Sequence, residues 1–255
     1  MCGRFGLIAP RHLAVGGLLD ALRLDEVGPS VPATLAPRYN VAPSTDVLAA
    51  FAHRRDGTVR RRLDLLRWGM IPADASDPRI GTRLCNARGE RVARTPSFAG
   101  AWRRGRRCLI LADLFYEWQH TGDGRAPATA PRGGRSARIP WAFAMADDAP
   151  FALGGLWDSW RDPADPEAPP VVSCTILTTA PNAIVGEIHD RMPVIVPASA
   201  WDVWLSRETP LADAQALVAP YPAMLMRRWR VSSRVNDPRH DDPAVVAPLP
   251  GESSR

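Results

Sequence analysis

Nine short strand-like runs, at 46–52, 61–70, 107–112, 115–118, 141–146, 151–157, 171–179, 193–196 and 225–231, recur along the chain between stretches rich in proline, glycine or charge. That punctuation constrains the fold more than any other feature. A helix of ordinary length needs a long unbroken window, and 26 prolines and 19 glycines in 255 residues leave few of them. Leu13, Leu18, Leu19 and Leu22 have helix-like spacing and predict one amphipathic helix over 10–24, packed on a sheet; 198–205 and 211–218 read as two further helical segments. Strands and helices do not alternate in a βαβ rhythm, so the expected class is α+β, sheet-dominated, in a single domain over 1–240. The stretches 121–138 and 161–170 read as loops rather than linkers, and 241–255, with little to bury, as a disordered tail.

Several function classes drop out. No uninterrupted apolar stretch approaches the roughly 18 residues of a membrane span; the longest early candidate, 6–19, is broken by Pro10, Arg11 and His12, which also argues against a secretory signal. Cysteines stand at 2, 85, 108 and 174 with no C-x-x-C pair, so neither a zinc site nor a disulfide framework is expected, and a reducing cytoplasm is the expected compartment. All 32 basic residues are arginine, which excludes lysine Schiff-base chemistry. The net charge of +5 leans toward a polyanionic partner.

Met1 is followed by Cys2. Once the initiator is removed, Cys2 carries an amine and a thiol on adjacent carbons. An aldehyde condenses with the amine to an imine, and the thiol closes a five-membered thiazolidine. The α-amine, with a reference pKa near 7.7–8.0, is roughly a fifth to a third neutral at pH about 7.4, and a thiol near 8.5 is a few per cent thiolate. Taken alone, Cys2 reads sooner as an accident of the start of the chain.

Seven ordered motifs change that reading: Met-Cys-Gly-Arg-Phe at 1–5, Arg-Tyr-Asn-Val-Ala-Pro at 38–43, Trp-Gly-Met-Ile-Pro at 68–72, Asn-Ala-Arg-Gly-Glu at 86–90, Arg-Arg-Cys-Leu-Ile-Leu-Ala-Asp at 106–113, Phe-Tyr-Glu-Trp at 115–118 and Ile-His-Asp-Arg-Met-Pro at 188–193. Together they resemble the SRAP family, once called SOS-response-associated peptidases, over about residues 2–236. The resemblance implies a curved, mostly antiparallel β core flanked by a few helices. It also implies covalent trapping of abasic sites in single-stranded DNA by a monomer that is cytoplasmic, and nucleoid-associated when DNA-bound, with no cofactor, metal or membrane. It assigns Cys2 as the crosslinking residue, Asn86 to orienting the sugar, Glu117 to acid/base work, and His189 to ring opening and Schiff-base chemistry. Arg4, Asn40, Trp68, Arg88, Arg107, Thr178 and Arg191 become candidate DNA contacts, with Arg106 and Phe98 beside them. The segment 73–77 lacks an aromatic that some relatives carry next to the DNA.

Each residue also has a plainer reading. Asn86 could cap a turn, Glu117 could face water from a strand, and His189 could pin a loop. Flanked by Tyr116 and Trp118, however, a desolvated Glu117 would hold a proton near neutrality. Trp102, Trp141, Trp157, Trp160 and Trp229 read as core. Two rival functions share the Cys2 signal, a glutamine amidotransferase or other N-terminal-nucleophile hydrolase and a cysteine peptidase pairing Cys2 with His189; a third, a non-catalytic nucleic-acid-binding module, predicts that Cys2→Ala leaves every function intact. The chain lacks the Asn-Gly-Asp type of motif expected of a glutamine pocket.

Overall fold

The computed structural model describes residues 2–8, 18–120 and 138–251. Its strands are β1 (Arg4–Leu7), β2 (Glu26–Val27), β3 (Arg38–Val41), β4 (Asp46–Arg55), β5 (Thr58–Trp68), β6 (Asn86–Arg88), β7 (Arg107–Ala112), β8 (Leu114–His120), β9 (Arg138–Met145), β10 (Phe151–Trp160), β11 (Val171–Thr179), β12 (Met192–Pro193), β13 (Ile195–Val196) and β14 (Met226–Arg230). The helices are short: α1 (Leu18–Leu22), α2 (Pro96–Arg103), α3 (Ala183–Gly186), α4 (Trp201–Leu205) and α5 (Leu211–Ala216). The sheet-dominated α+β class is the one observed.

Among the described residues the strands form two sheets. One runs β14-β9-β8-β1-β3; the other runs β12-β11-β10-β7-β4-β5-β2, with β13 on β10 and β6 on β11. Most pairings are antiparallel. The larger sheet curls on itself, because β11 also lies parallel to β5 through Ser173↔Arg67 and Cys174↔Trp68. Its central strand β7 is buried on both faces, as the continuous apolar run at 107–112 requires. Cys108, Ile110 and Ala112 point into one core with Leu153, Ile176 and Trp68, while Leu109 and Leu111 point into a second, capped by Trp102 of α2 and Trp204 of α4. The smaller sheet closes the first core with Phe5, Phe115 and Phe143.

The run at 193–196 divides into β12 and β13, and only 18–22 of the segment expected as a helix over 10–24 is a described helix; 10–17 lie outside the described residues, as do 121–137 of the expected loop. The tail expectation is corrected for 241–251; 252–255 lie outside the described residues. Val245 is fully buried in a third core with Leu114, Tyr116 and Trp229, Asp241 Oδ1 accepts the Asn40 backbone N–H at 2.8 Å, and Pro248 bridges to Val231. A few well-placed apolar and capping residues anchor a segment whose composition looked unable to pack.

Candidate functional site

Cys2 stands two residues before the start of β1, and β1 pairs with β8 through Arg4↔Tyr116 and Phe5↔Phe115, so Glu117 lies one step beyond the end of that ladder. Along β8, Phe115 faces the first core and Tyr116 the third, and alternation turns Glu117 to the side of Phe115, where Cys2 is also buried. From the opposite sheet, β6 brings Asn86 alongside Ile176 of β11. Gly69 sets this approach: with φ at +134° it passes so close to the chain that a Cβ would come within 2.6 Å of the Gly81 carbonyl oxygen, and the turn then delivers Cys85 and Asn86.

These elements bring three of the four expected catalytic residues to a buried centre and the fourth to its edge. Asn86 Nδ2 donates to the Cys2 carbonyl oxygen at 2.9 Å, while Asn86 Oδ1 is buried and has no hydrogen-bond partner among the described residues. Glu117 is only 1% exposed, and burial pushes its carboxyl up to about 7. Oε2 of Glu117 lies 3.9 Å from Nε2 of His189. His189 Nδ1 lies 3.0 Å from the Arg191 backbone nitrogen, 3.3 Å from the Arg191 carbonyl oxygen and 3.1 Å from Asp190 Oδ1, so either tautomer of the neutral ring has a partner at Nδ1 while Nε2 faces the carboxyl. Burial lowers the His189 pKa, favouring that neutral ring. Burial, then the Glu117 charge, pushes the Cys2 thiol well above its ordinary range. The centre therefore holds a protonated thiol, a carboxyl that exchanges its proton near neutrality, and an open amide acceptor.

The expected DNA contacts divide. Arg88 is exposed, and its side chain makes no hydrogen bond or ion pair among the described residues. Arg191 reaches Glu90 through both terminal nitrogens, at 2.7 and 2.9 Å, and Thr178 fixes it through its carbonyl at 2.6 Å and hydroxyl at 3.2 Å. Glu90 is thus a site partner whose role the sequence did not mark, although it sits in the 86–90 motif. Arg4 donates to Asn40 Oδ1 and to the Val235 and Asn236 carbonyls, fastening β1 to the C-terminal segment.

Five expectations are corrected. Asn40 is buried, and its amide donates to the carbonyls of Val235, Asp237 and His240, a clamp with no surface left for DNA. Trp68 is fully buried with its indole N–H on the Cys85 carbonyl at 2.8 Å, and Phe98 is core under α2, so neither ring offers a face to a base. Arg106 is ion-paired to buried Asp158 and lies over Trp157. Arg107 is fully buried, its guanidinium spent on the carbonyls of Trp204 and Ser206 at the end of α4, and burial lowers its pKa to about 10. Arg107→Met is accordingly expected to cost about 2–4 kcal/mol in chemical denaturation, by stranding two buried carbonyls, while leaving the salt dependence of DNA binding at the wild-type slope.

Among the described residues no cluster of side chains is arranged to hold a metal ion, and no helix is long and apolar enough to cross a membrane.

The SOS response associated peptidase (SRAP) family profile matches residues 1–238. The chain is 36% identical to the abasic site processing protein YoqW of Bacillus subtilis, with 96% of this chain and 99% of that one covered, and 37% identical to YoaM of the same organism, with 96% and 97% covered. It is 30% identical to the abasic site processing protein HMCES of Gallus gallus, covering 84% of this chain and 66% of that one. A crystal structure of a protein from Bacteroides thetaiotaomicron shares the fold, with a TM-score of 0.70 at 21% identity over 85% of this chain and 88% of the other.

Proposed function

The chain belongs to the SOS response associated peptidase (SRAP) family, and from that premise we propose that it processes abasic sites by capturing them covalently in single-stranded DNA through Cys2, once Met1 has been removed. In this reading it acts as a monomer in the cytoplasm, at the nucleoid, shielding damaged strands. The observation that carries the reading is the convergence of Cys2, Asn86 and Glu117 from separate segments, with His189 facing the carboxyl.

The chemistry runs as follows. The ring-closed deoxyribose must open: with its ring proton on Nδ1, His189 takes the C1′ hydroxyl proton on Nε2 and hands it to the ring oxygen as the bond from that oxygen to C1′ breaks, leaving an aldehyde and a neutral imidazole. The Cys2 amine adds to C1′, and Glu117, protonated near neutrality, gives its proton to the departing hydroxyl, so that one water leaves and an imine remains. Cys2 Sγ then attacks the imine carbon. The imine forms protonated and its N–H becomes that of the ring nitrogen, while the thiol proton passes to the now anionic Glu117 and restores its acid form. The net change is aldehyde plus aminothiol to thiazolidine plus one water. Asn86 Oδ1 accepts from a sugar hydroxyl or the reacting amine, and Asn86→Ala is expected to slow capture about tenfold, the worth of one such bond.

The imine is also the species from which β-elimination would cleave the strand. Ring closure onto sulfur removes it, so lyase products are a side branch. Peptidase activity is confined to the loss of Met1.

A denaturing gel tests the proposal. A single-stranded oligonucleotide with one abasic unit should shift to a slower band with the mature protein, and its intact counterpart should not. No shift, or release of ammonia from glutamine by the same preparation, would overturn it in favour of the amidotransferase reading.

A further inference from the structure

Beside Glu117, which serves the capture chemistry, the smaller sheet carries a row of side chains that this chemistry does not use. Glu117 of β8 is directly opposite Trp141 of β9, and Trp141 is directly opposite Arg230 of β14. Directly paired residues of an antiparallel sheet share a face, and neighbouring strands lie about 4.8 Å apart, so the row spans on the order of 10 Å from carboxyl to guanidinium. That is the scale of one nucleotide.

Trp141 differs from the other tryptophans read as core. Trp102, Trp157, Trp160 and Trp229 are buried, whereas Trp141 is partly exposed at the margin of the first core. Its ring is fixed in advance. The indole N–H donates to Gln119 Oε1 at 3.2 Å, and the Arg228 guanidinium lies over one face, 5.2 Å from the ring centroid. Arg228 is itself held by the Ile184 carbonyl and by Glu187. An indole held by its edge and backed by a cation loses little freedom when a base stacks on it, and stacking of this kind tolerates any base.

We propose that Trp141 is the stacking platform for the base next to the captured sugar, with the arginines of β14 beside it supplying positive charge for the strand's phosphates. The assignment rests on the covalent-capture reading and deepens it. It makes the substrate an abasic unit with a neighbouring base on a defined side, rather than an isolated aldehyde, and it transfers to Trp141 the stacking task that buried Trp68 and Phe98 cannot perform.

The test uses the mature full chain and three oligonucleotides of equal length. In each, one abasic unit is flanked by base-free spacers, except for a single thymidine on its 5′ side, on its 3′ side, or on neither. Initial capture rates at limiting DNA are read on denaturing gels. Wild type should prefer one of the flanked substrates over the base-free one by roughly tenfold, Trp141→Leu should bring that ratio to about one, and Trp141→Phe should keep part of it. Leucine preserves the apolar packing, and a ratio is insensitive to partial misfolding. A wild type indifferent to the neighbouring base, or a leucine variant with the wild-type ratio, overturns this assignment alone. A wild type that captures none of the three overturns the capture reading and this assignment with it.

Discussion

Cys2→Ser is expected to take the stable adduct from near completion to background on a denaturing gel, while borohydride added during the reaction still traps a transient imine. The serine variant keeps the α-amine, so condensation with the aldehyde survives. What it loses is the sulfur that closes the ring: a hydroxyl is a far poorer nucleophile toward the imine at neutral pH. The thiol in the folded protein is held protonated by burial and by the Glu117 carboxylate, so its reactivity depends on delivery of the imine carbon to it and on a nearby proton acceptor, rather than on standing thiolate. Two further results follow. Strand cleavage should rise in Cys2→Ser, because the imine lasts longer, and a variant whose processing leaves Met1 in place should fail to capture although Cys2 itself is intact.

Glu117→Gln should slow capture by about 10²- to 10⁴-fold, the range for losing a positioned general acid, and should stabilise the protein in alkaline buffer. The folded-state pKa, about 7, lies above the ordinary 4.5, so between these values the folded protein holds a proton that the unfolded chain releases. Stability therefore falls as pH rises from about 4.5 to about 7, by up to about 3 kcal/mol. Glutamine is uncharged throughout and escapes this cost. Its melting temperature should exceed that of wild type at pH 8, and the two should converge near pH 4.5. Capture by wild type needs Glu117 protonated and the α-amine neutral, which gives a bell-shaped rate profile with a maximum between about pH 7 and 8. The glutamine variant should lose the alkaline limb, its residual rate rising to a plateau. A glutamine variant no more stable than wild type at pH 8, with an unchanged profile, would mean that Glu117 does not hold a proton near neutrality.

The long strands were legible in the sequence because β4, β5, β7, β10 and β11 are continuous or alternating apolar runs with clear stops. The three short strands nearest the site were not. Arg38–Val41, Asn86–Arg88 and Arg4–Leu7 are three or four residues long and carry polar side chains, and only pairing with partners distant in the chain makes them strands. Asn86 and Glu117 were found by motif, since nothing local tells an amide on a buried edge from one on a turn. Residue type misleads at Arg107: an arginine at the head of a buried strand reads as a phosphate contact, but its guanidinium is consumed by the carbonyls at the end of α4. Trp141 reads as core and is partly buried against the first core, between Glu117 and Arg230 on the neighbouring strands. The partners of Arg107 come from an element about 100 residues away, a separation no local pattern records.

Intact-mass spectrometry of the purified protein, before and after mixing with an abasic oligonucleotide under denaturing workup, tests the account most directly. The free protein should be lighter than its gene product by one methionine residue, and the product should weigh the sum of protein and oligonucleotide less one water, surviving without a reductant. A protein that retains its methionine and still forms the adduct, or an adduct mass that leaves the terminal amine free, would contradict capture through the leading cysteine.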